Sequence, residues 1–234
     1  MKVRSVASPE AAIARAADFA LTTIYEQWRH SLAAHLVLTG GRSGVDLANI
    51  IAAGLTKARP KVLHIWFTDE RFVEYTNIHR SDTPIVEAFA NVGCTLIVHR
   101  FGTPAEGDVL TATQRYTDEL KTKLGDEPFT VVVLSMGEDG HIASIFPNQN
   151  EIAGDVLSIE DAPKWPPLRM SLSLNRLAQT YECLLLALGE SKTEAIQALL
   201  SRDTSIPATV LAMRTPLIFI TDQPINDYVE AISK

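Results

Sequence analysis

Short apolar runs alternate with segments of helical period along the first 135 residues, and this alternation leaves few folds open. Residues 36–39, 62–67, 95–98 and 129–134 read as strands, the last a buried β-branched run. Between and before them, 9–30, 45–55, 84–90 and 107–124 carry apolar residues at helical spacing. Ser8 stands as an N-cap, with Pro9 at the first helical position. Such a series builds right-handed βαβ units and a mostly parallel Rossmann-like sheet with helices on both faces. The second half is less regular. Residues 155–159 read as a strand, 161–167 with three prolines as a loop, and 169–174 as a half-buried strand of alternating character. A strong strand at 181–188 precedes a helix through Leu200, then a short helix at 207–213 and a last strand at 216–220. With no repeat, low-complexity tract or linker, a single α/β domain over 1–234 is expected.

Composition narrows the partners. The 234 residues are 46% hydrophobic, enough for a sizeable core, and carry a net charge of −7. That charge fits neither a nucleic-acid surface nor an anionic membrane. No stretch approaches the ~18 apolar residues of a membrane span, and the start has no secretory h-region. Two cysteines, Cys94 and Cys183, make no disulfide or metal framework and read as reduced buried thiols. A soluble cytoplasmic protein without metal or cofactor, a monomer or small homo-oligomer, is the expectation.

Four strand ends hold the chemistry, because open α/β sheets bind ligands at the carboxyl ends of their strands. Gly40-Gly41-Arg42-Ser43-Gly44 opens a helix, where backbone N–H groups, the Ser43 hydroxyl and the Arg42 guanidinium suit a phosphate. It is neither a Walker loop nor a dinucleotide fingerprint. In Asp69-Glu70-Arg71, three charges after a buried strand usually mean a solvated loop. Here Arg71 is placed to hold an anion or a developing oxyanion, and Asp69 to bind sugar hydroxyls or act as a base. Asp139-Gly140-His141 lies on a glycine-loosened turn, and His141 is the candidate general base, since free imidazole titrates near ~6.5. Lys192, in Gly189-Glu190-Ser191-Lys192, opposes a helix dipole in a way that makes sense with an anion between them. Arg169 is a further basic candidate for the phosphate, facing the crevice. No serine elbow and no His-Glu-x-x-His metal motif is present.

At these residues the chain resembles the family of 6-phosphogluconolactonases and glucosamine-6-phosphate deaminases. Leu38-Thr39-Gly40-Gly41, Thr68-Asp69-Glu70-Arg71-Phe72-Val73 and the block from Gly137 to Pro147 match its signatures in order. Gly189 with Lys192 and Ile206-Pro207-Ala208 continue the match. The resemblance implies that the first loop and Lys192 hold a sugar phosphate, and that His141 activates water for attack on a lactone. It implies that Arg71 stabilises charge at the reacting end, while Asp69 and Asp139 shape the site. Hydrolysis of 6-phospho-D-glucono-1,5-lactone to 6-phosphogluconate, in the oxidative pentose phosphate pathway, is the activity implied. The alternatives are a deaminase or isomerase of glucosamine 6-phosphate and a non-catalytic sugar-phosphate sensor. The deaminase branch places a second acid where this chain has Phe146. The first loop departs from the family by continuing as Arg42-Ser43-Gly44.

Overall fold

The computed structural model describes residues 1–56, 61–149 and 153–225. The helix α1 (Pro9–His30) starts and stops where the sequence places it, because the Ser8 side chain accepts from Ala11 N and proline occupies the first turn. Before it lies β1 (Lys2–Ser5). After it come β2 (Ala33–Leu38), α2 (Gly41–Gly54), β3 (Val62–Phe67) and β4 (Asp69–Arg71). The middle of the chain supplies α3 (Asp82–Ala88), β5 (Thr95–Val98), α4 (Val109–Lys123) and β6 (Phe129–Ser135). Then follow β7 (Val156–Ile159), β8 (Arg169–Leu172), α5 (Leu174–Ala178) and β9 (Thr180–Ala187). The helices α6 (Thr193–Leu200) and α7 (Pro207–Arg214) and the strand β10 (Leu217–Thr221) complete the described fold.

Seven strands form one parallel sheet in the order β1-β10-β9-β6-β2-β3-β5. From β2 the chain winds outward through β3 and β5, then returns to the other side of β2 with β6. The topological switch therefore falls between β2 and β6, where an open α/β sheet leaves a crevice at its carboxyl edge. The central strands are buried on both faces: every residue of β6 from Phe129 to Leu134 is buried, as are Leu36 to Leu38 of β2. Helix α1 packs across β2, β6, β9 and β10 through a row of alanines, among them Ala12, Ala16 and Ala20, which let it approach closely.

Three strands are set apart in a small antiparallel sheet, β4-β8-β7. Its first strand is Asp69-Glu70-Arg71, which is not the solvated loop that three consecutive charges usually mean. The triplet pairs with β8 in the register Asp69↔Ser171, Glu70↔Met170, Arg71↔Arg169, and Glu70 is fully buried. Nor is β8 half-buried as its alternation suggests: all four residues are buried, Arg169 included. The edge strand β1 and the single-turn helix α5 have no apolar period to announce them. Among the described residues no helix is long and apolar enough to cross a membrane. Both cysteines are unbridged, Cys183 buried as expected and Cys94 only partly so.

Candidate active site

Because the sheet is parallel, four loops leave it side by side. Thr39 N donates to Val133 O (3.0 Å), Thr68 N to Leu38 O (3.0 Å) and Met136 N to Leu186 O (2.8 Å), so β2, β3, β6 and β9 end level with one another. The four stretches expected to carry chemistry begin within three residues of these positions.

The turn after β6 closes through Gly137 N to His141 O (2.8 Å) and Gly140 N to Gly137 O (3.2 Å). Gly137 lies under the imidazole: a Cβ there would sit 2.0 Å from His141 Nδ1. Any other residue would push the ring away. The Nδ1 atom is 2.5 Å from Asp139 Oδ1, which also accepts the backbone N–H of His141 at 3.1 Å. Burial pushes the Asp139 carboxyl up, but the backbone and ring donors of His141 outweigh it and hold it below the usual carboxylate range. An ionised carboxylate only accepts, so Nδ1 carries the ring proton and Nε2 presents its lone pair. Nε2 has no protein partner among the described residues. The ring packs on Phe146 with centroids 4.8 Å apart.

Asp69 is tied to this turn. Its Oδ2 accepts from the Ser144 hydroxyl at 2.5 Å and its Oδ1 from Thr68 Oγ1 at 2.8 Å. Ser144 follows Ala143, which holds a left-handed φ of 51° in the tight turn bridging Ile142 and Ile145. Asp69 thus joins the end of β3 to the loop that carries the imidazole. Next in the chain, Arg71 donates from Nη1 to His79 O (3.0 Å), while its Nε is buried with no partner. An orphaned guanidinium nitrogen at a strand end is suited to an incoming oxygen.

Lys192 precedes α6 and feels the charges of Glu138, Asp139 and Lys164. Burial, with repulsion from Lys164, lowers its pKa against the pull of the two carboxylates. It makes no ion pair within 4 Å among the described residues. Arg42 and Ser43 line a cavity of about 400 Å³ with Asp46, Leu188, Gly189 and Glu10. Lys192 N donates to Gly189 O at 3.1 Å, so this cavity and the lysine share one turn of chain. His141 does not line it. Gly40 faces the other way, with its Cα against Ser81; a Cβ would lie 2.5 Å from Ser81 Oγ. Arg169 lies beside Arg71, with Nε donating to Pro166 O (3.0 Å) and Nη2 to Lys164 O (2.6 Å).

Sequence reasoning passed over Ser144, Lys164 and the group beneath the site. There Asp82 takes bidentate bonds from both Arg80 and Arg100, and the Tyr75 ring lies between the two guanidiniums at 4.5 and 4.2 Å. The only local signal was a charged pair, Arg80 and Asp82, at the start of a helix.

With this geometry in place, comparison with known proteins is direct. The sequence profile of the glucosamine-6-phosphate isomerases/6-phosphogluconolactonase family matches residues 7–219. The chain belongs to this family. A 6-phosphogluconolactonase of Streptomyces coelicolor is 33% identical over 224 residues, covering 88% of this chain and 83% of that protein. One from Mycobacterium tuberculosis is 28% identical, covering 80% and 82%. Among solved structures, 6-phosphogluconolactonase from Trypanosoma cruzi superposes with a TM-score of 0.81 at 18% identity, over 100% of this chain and 97% of that one. That from Thermotoga maritima gives 0.76 at 19% identity, over 94% and 99%. At such identities the structures show the fold alone: the family's parallel sheet with helices is the one found here. Within the family, Phe146 against the imidazole is an apolar wall that transfers no proton.

Proposed function

We propose that this chain hydrolyses 6-phospho-D-glucono-1,5-lactone to 6-phosphogluconate. The observation that carries the reading is the Asp139–His141 pair at the switch point of the sheet, with Nε2 unbonded among the described residues. Nε2 takes a proton from water, and the hydroxide oxygen bonds to the lactone carbonyl carbon. Asp139 holds the tautomer and stabilises the imidazolium that forms. Arg71 receives the developing oxyanion. Collapse of the tetrahedral species breaks the bond to the ring oxygen, which recovers the proton from the imidazolium. One positioned base contributes ~10²–10⁴-fold, and oxyanion stabilisation ~10²–10³. A six-membered lactone is already a reactive ester, so no covalent intermediate is required.

Gly41, Arg42 and Ser43 at the start of α2 bind the phosphate together with Lys192, while Gly40, expected among them, seats this turn against Ser81. The shared turn at Gly189 supports this pairing. Asp69, with both oxygens accepting hydroxyls, acts by fixing the His141 loop. Arg169 was expected among the phosphate ligands. With two nitrogens bound to loop carbonyls next to Arg71, it is better assigned to backing that arginine.

The test is acid release from freshly made phosphorylated lactone beside its unphosphorylated form. A strong preference for the phosphorylated ester is expected. Release no faster than the uncatalysed rate, or ammonia release from glucosamine 6-phosphate, would overturn the assignment.

A further inference from the structure

Glu70 stands between two residues assigned to the site, has no role in the reaction above, and is nevertheless fully buried. A carboxylate taken out of water costs several kcal/mol unless donors replace the lost hydration. Four do. Oε1 accepts from Arg71 N at 2.8 Å; Oε2 accepts from Ser81 N (2.8 Å), Ser81 Oγ (2.9 Å) and Asp82 N (2.7 Å). Arg80 Nε lies 3.8 Å away. One side chain therefore closes the loop that leaves β4 at Arg71 and returns at Ser81 to start α3. That same loop supplies the His79 carbonyl to which the Arg71 guanidinium is tied. On its far side, Ser81 is the surface against which Gly40 rests.

We propose that Glu70 is a positioning residue that sets both ends of the site at once, through Arg71 on one side and through Ser81 and Gly40 on the other. The inference rests on the lactonase reading for what the two ends bind. Its mechanical content is that Arg71 and the first turn of α2 have a single common reference point. Oε2 carries three of the four donors and Oε1 one. A proton on this carboxyl removes the charge that strengthens these bonds and loosens the loop.

The ionisation of Glu70 supports such a link. Burial and repulsion from Asp82 push its carboxyl up to about 7, against the pull of Arg71 N, Arg80 and Asp82 N. Arg169 also faces it from β8, and Arg100 balances Asp82 from the loop after β5.

The experiment compares wild type, Glu70→Gln and Ser81→Ala for lactone turnover and thermal melting across pH 5.5–8.5. Glutamine keeps the shape but replaces an accepting oxygen by a donor facing donors. A displacement of reacting groups by about an ångström costs about 10²-fold, so kcat/KM of Glu70→Gln falls by ~30–100-fold per folded molecule, with kcat and KM both changed. Below pH 7 the wild-type profile carries a loss of activity that the variant's lacks. Ser81→Ala removes one hydroxyl donor and keeps both N–H bonds, so its KM rises about tenfold while kcat stays within twofold. Normal kcat and KM per folded Glu70→Gln molecule, with only a lower melting temperature, would overturn the inference. If that variant does not fold, an unchanged KM for Ser81→Ala overturns it instead. A wild type with no lactone turnover overturns the functional reading, and is told apart from failure of this inference because the latter leaves wild-type turnover intact.

Discussion

Two imidazole–carboxylate pairs in this molecule have nearly the same geometry and opposite prospects. His141 Nδ1 lies 2.5 Å from Asp139 and His99 Nδ1 lies 2.6 Å from Glu119. In the first pair, two residues apart on a glycine turn after β6, Nε2 has no hydrogen-bond partner among the described residues. In the second, Nε2 is bound to His64 Nδ1 at 2.8 Å, and the ring stacks on Trp66 at 3.6 Å with its side chain fully buried. His64 stacks in turn on His35, its register partner across β2 and β3. A carboxylate beside a histidine does not by itself make a base. What makes one is the second nitrogen, left unbonded where the fold opens.

The largest effect that tests this contrast is His141→Ala. Its kcat should fall ~10²–10⁴-fold with little change in melting temperature, since the ring sits on a turn and not in the core. His99→Gln should do the reverse: lower melting temperature, and turnover per folded molecule close to wild type. Steady-state kinetics on both variants, corrected for folded fraction by circular dichroism, would break the comparison if their positions were exchanged. A smaller effect separates binding from chemistry at the same edge. Lys192→Ala removes a charge-assisted bond worth ~1.5–3 kcal/mol, so KM for the phosphorylated lactone should rise by ~10–100-fold with kcat nearly kept. An unchanged KM would take the phosphate away from Lys192.

How much of this was legible in the sequence follows from the range of the forces involved. Helix α1 was readable to the residue because its cap, its first-turn proline and its alanine face are all local. The strand β3 was readable because buried parallel strands are continuous apolar runs, whereas β5, read from the same kind of run, is the edge of the sheet and none of its residues is buried. The site was half legible. Asp139 and His141 are two residues apart, and their pairing follows from the turn. The small sheet was not legible. Arg71 meets Arg169, and Lys2 of β1 meets Ile218 of β10, across distances that no window of hydrophobic period spans. Glu70 illustrates the cost of that blindness. Three charges in a row look solvated until the donors from residues 71, 81 and 82 are seen around the middle one.

The smallest effect concerns the buried stack itself, and its sign can be worked out. Burial, with repulsion between the rings, drives His35 down to about 3 and His64 down to about 4. His99 is also lowered, by burial, although Glu119 opposes the shift. Lys123 and Arg176 are the cations that face the group. In the unfolded chain these histidines titrate near ~6.5. Above that pH both states are neutral and the stack adds no pH dependence. As pH falls below ~6.5 the unfolded chain binds protons that the native stack refuses, so stability declines until the folded values near 4 and 3 are reached. Glu70 pulls the other way in the same window, because its raised pKa lets the native state bind a proton first. A single melting curve therefore mixes the two, and a difference between variants is needed. His64→Phe removes one titrating ring and leaves the Nε2 of His99 without its donor. Its melting temperature at pH 7.5 should fall by a few degrees (about 1 kcal/mol moves a chain of this size by ~2–4 °C). Between pH 6.5 and 5 it should then fall less than wild type does. An equal or steeper fall in the variant would mean that the stacked rings take up protons as readily in the fold as out of it, and the contrast with His141 would then rest on position alone.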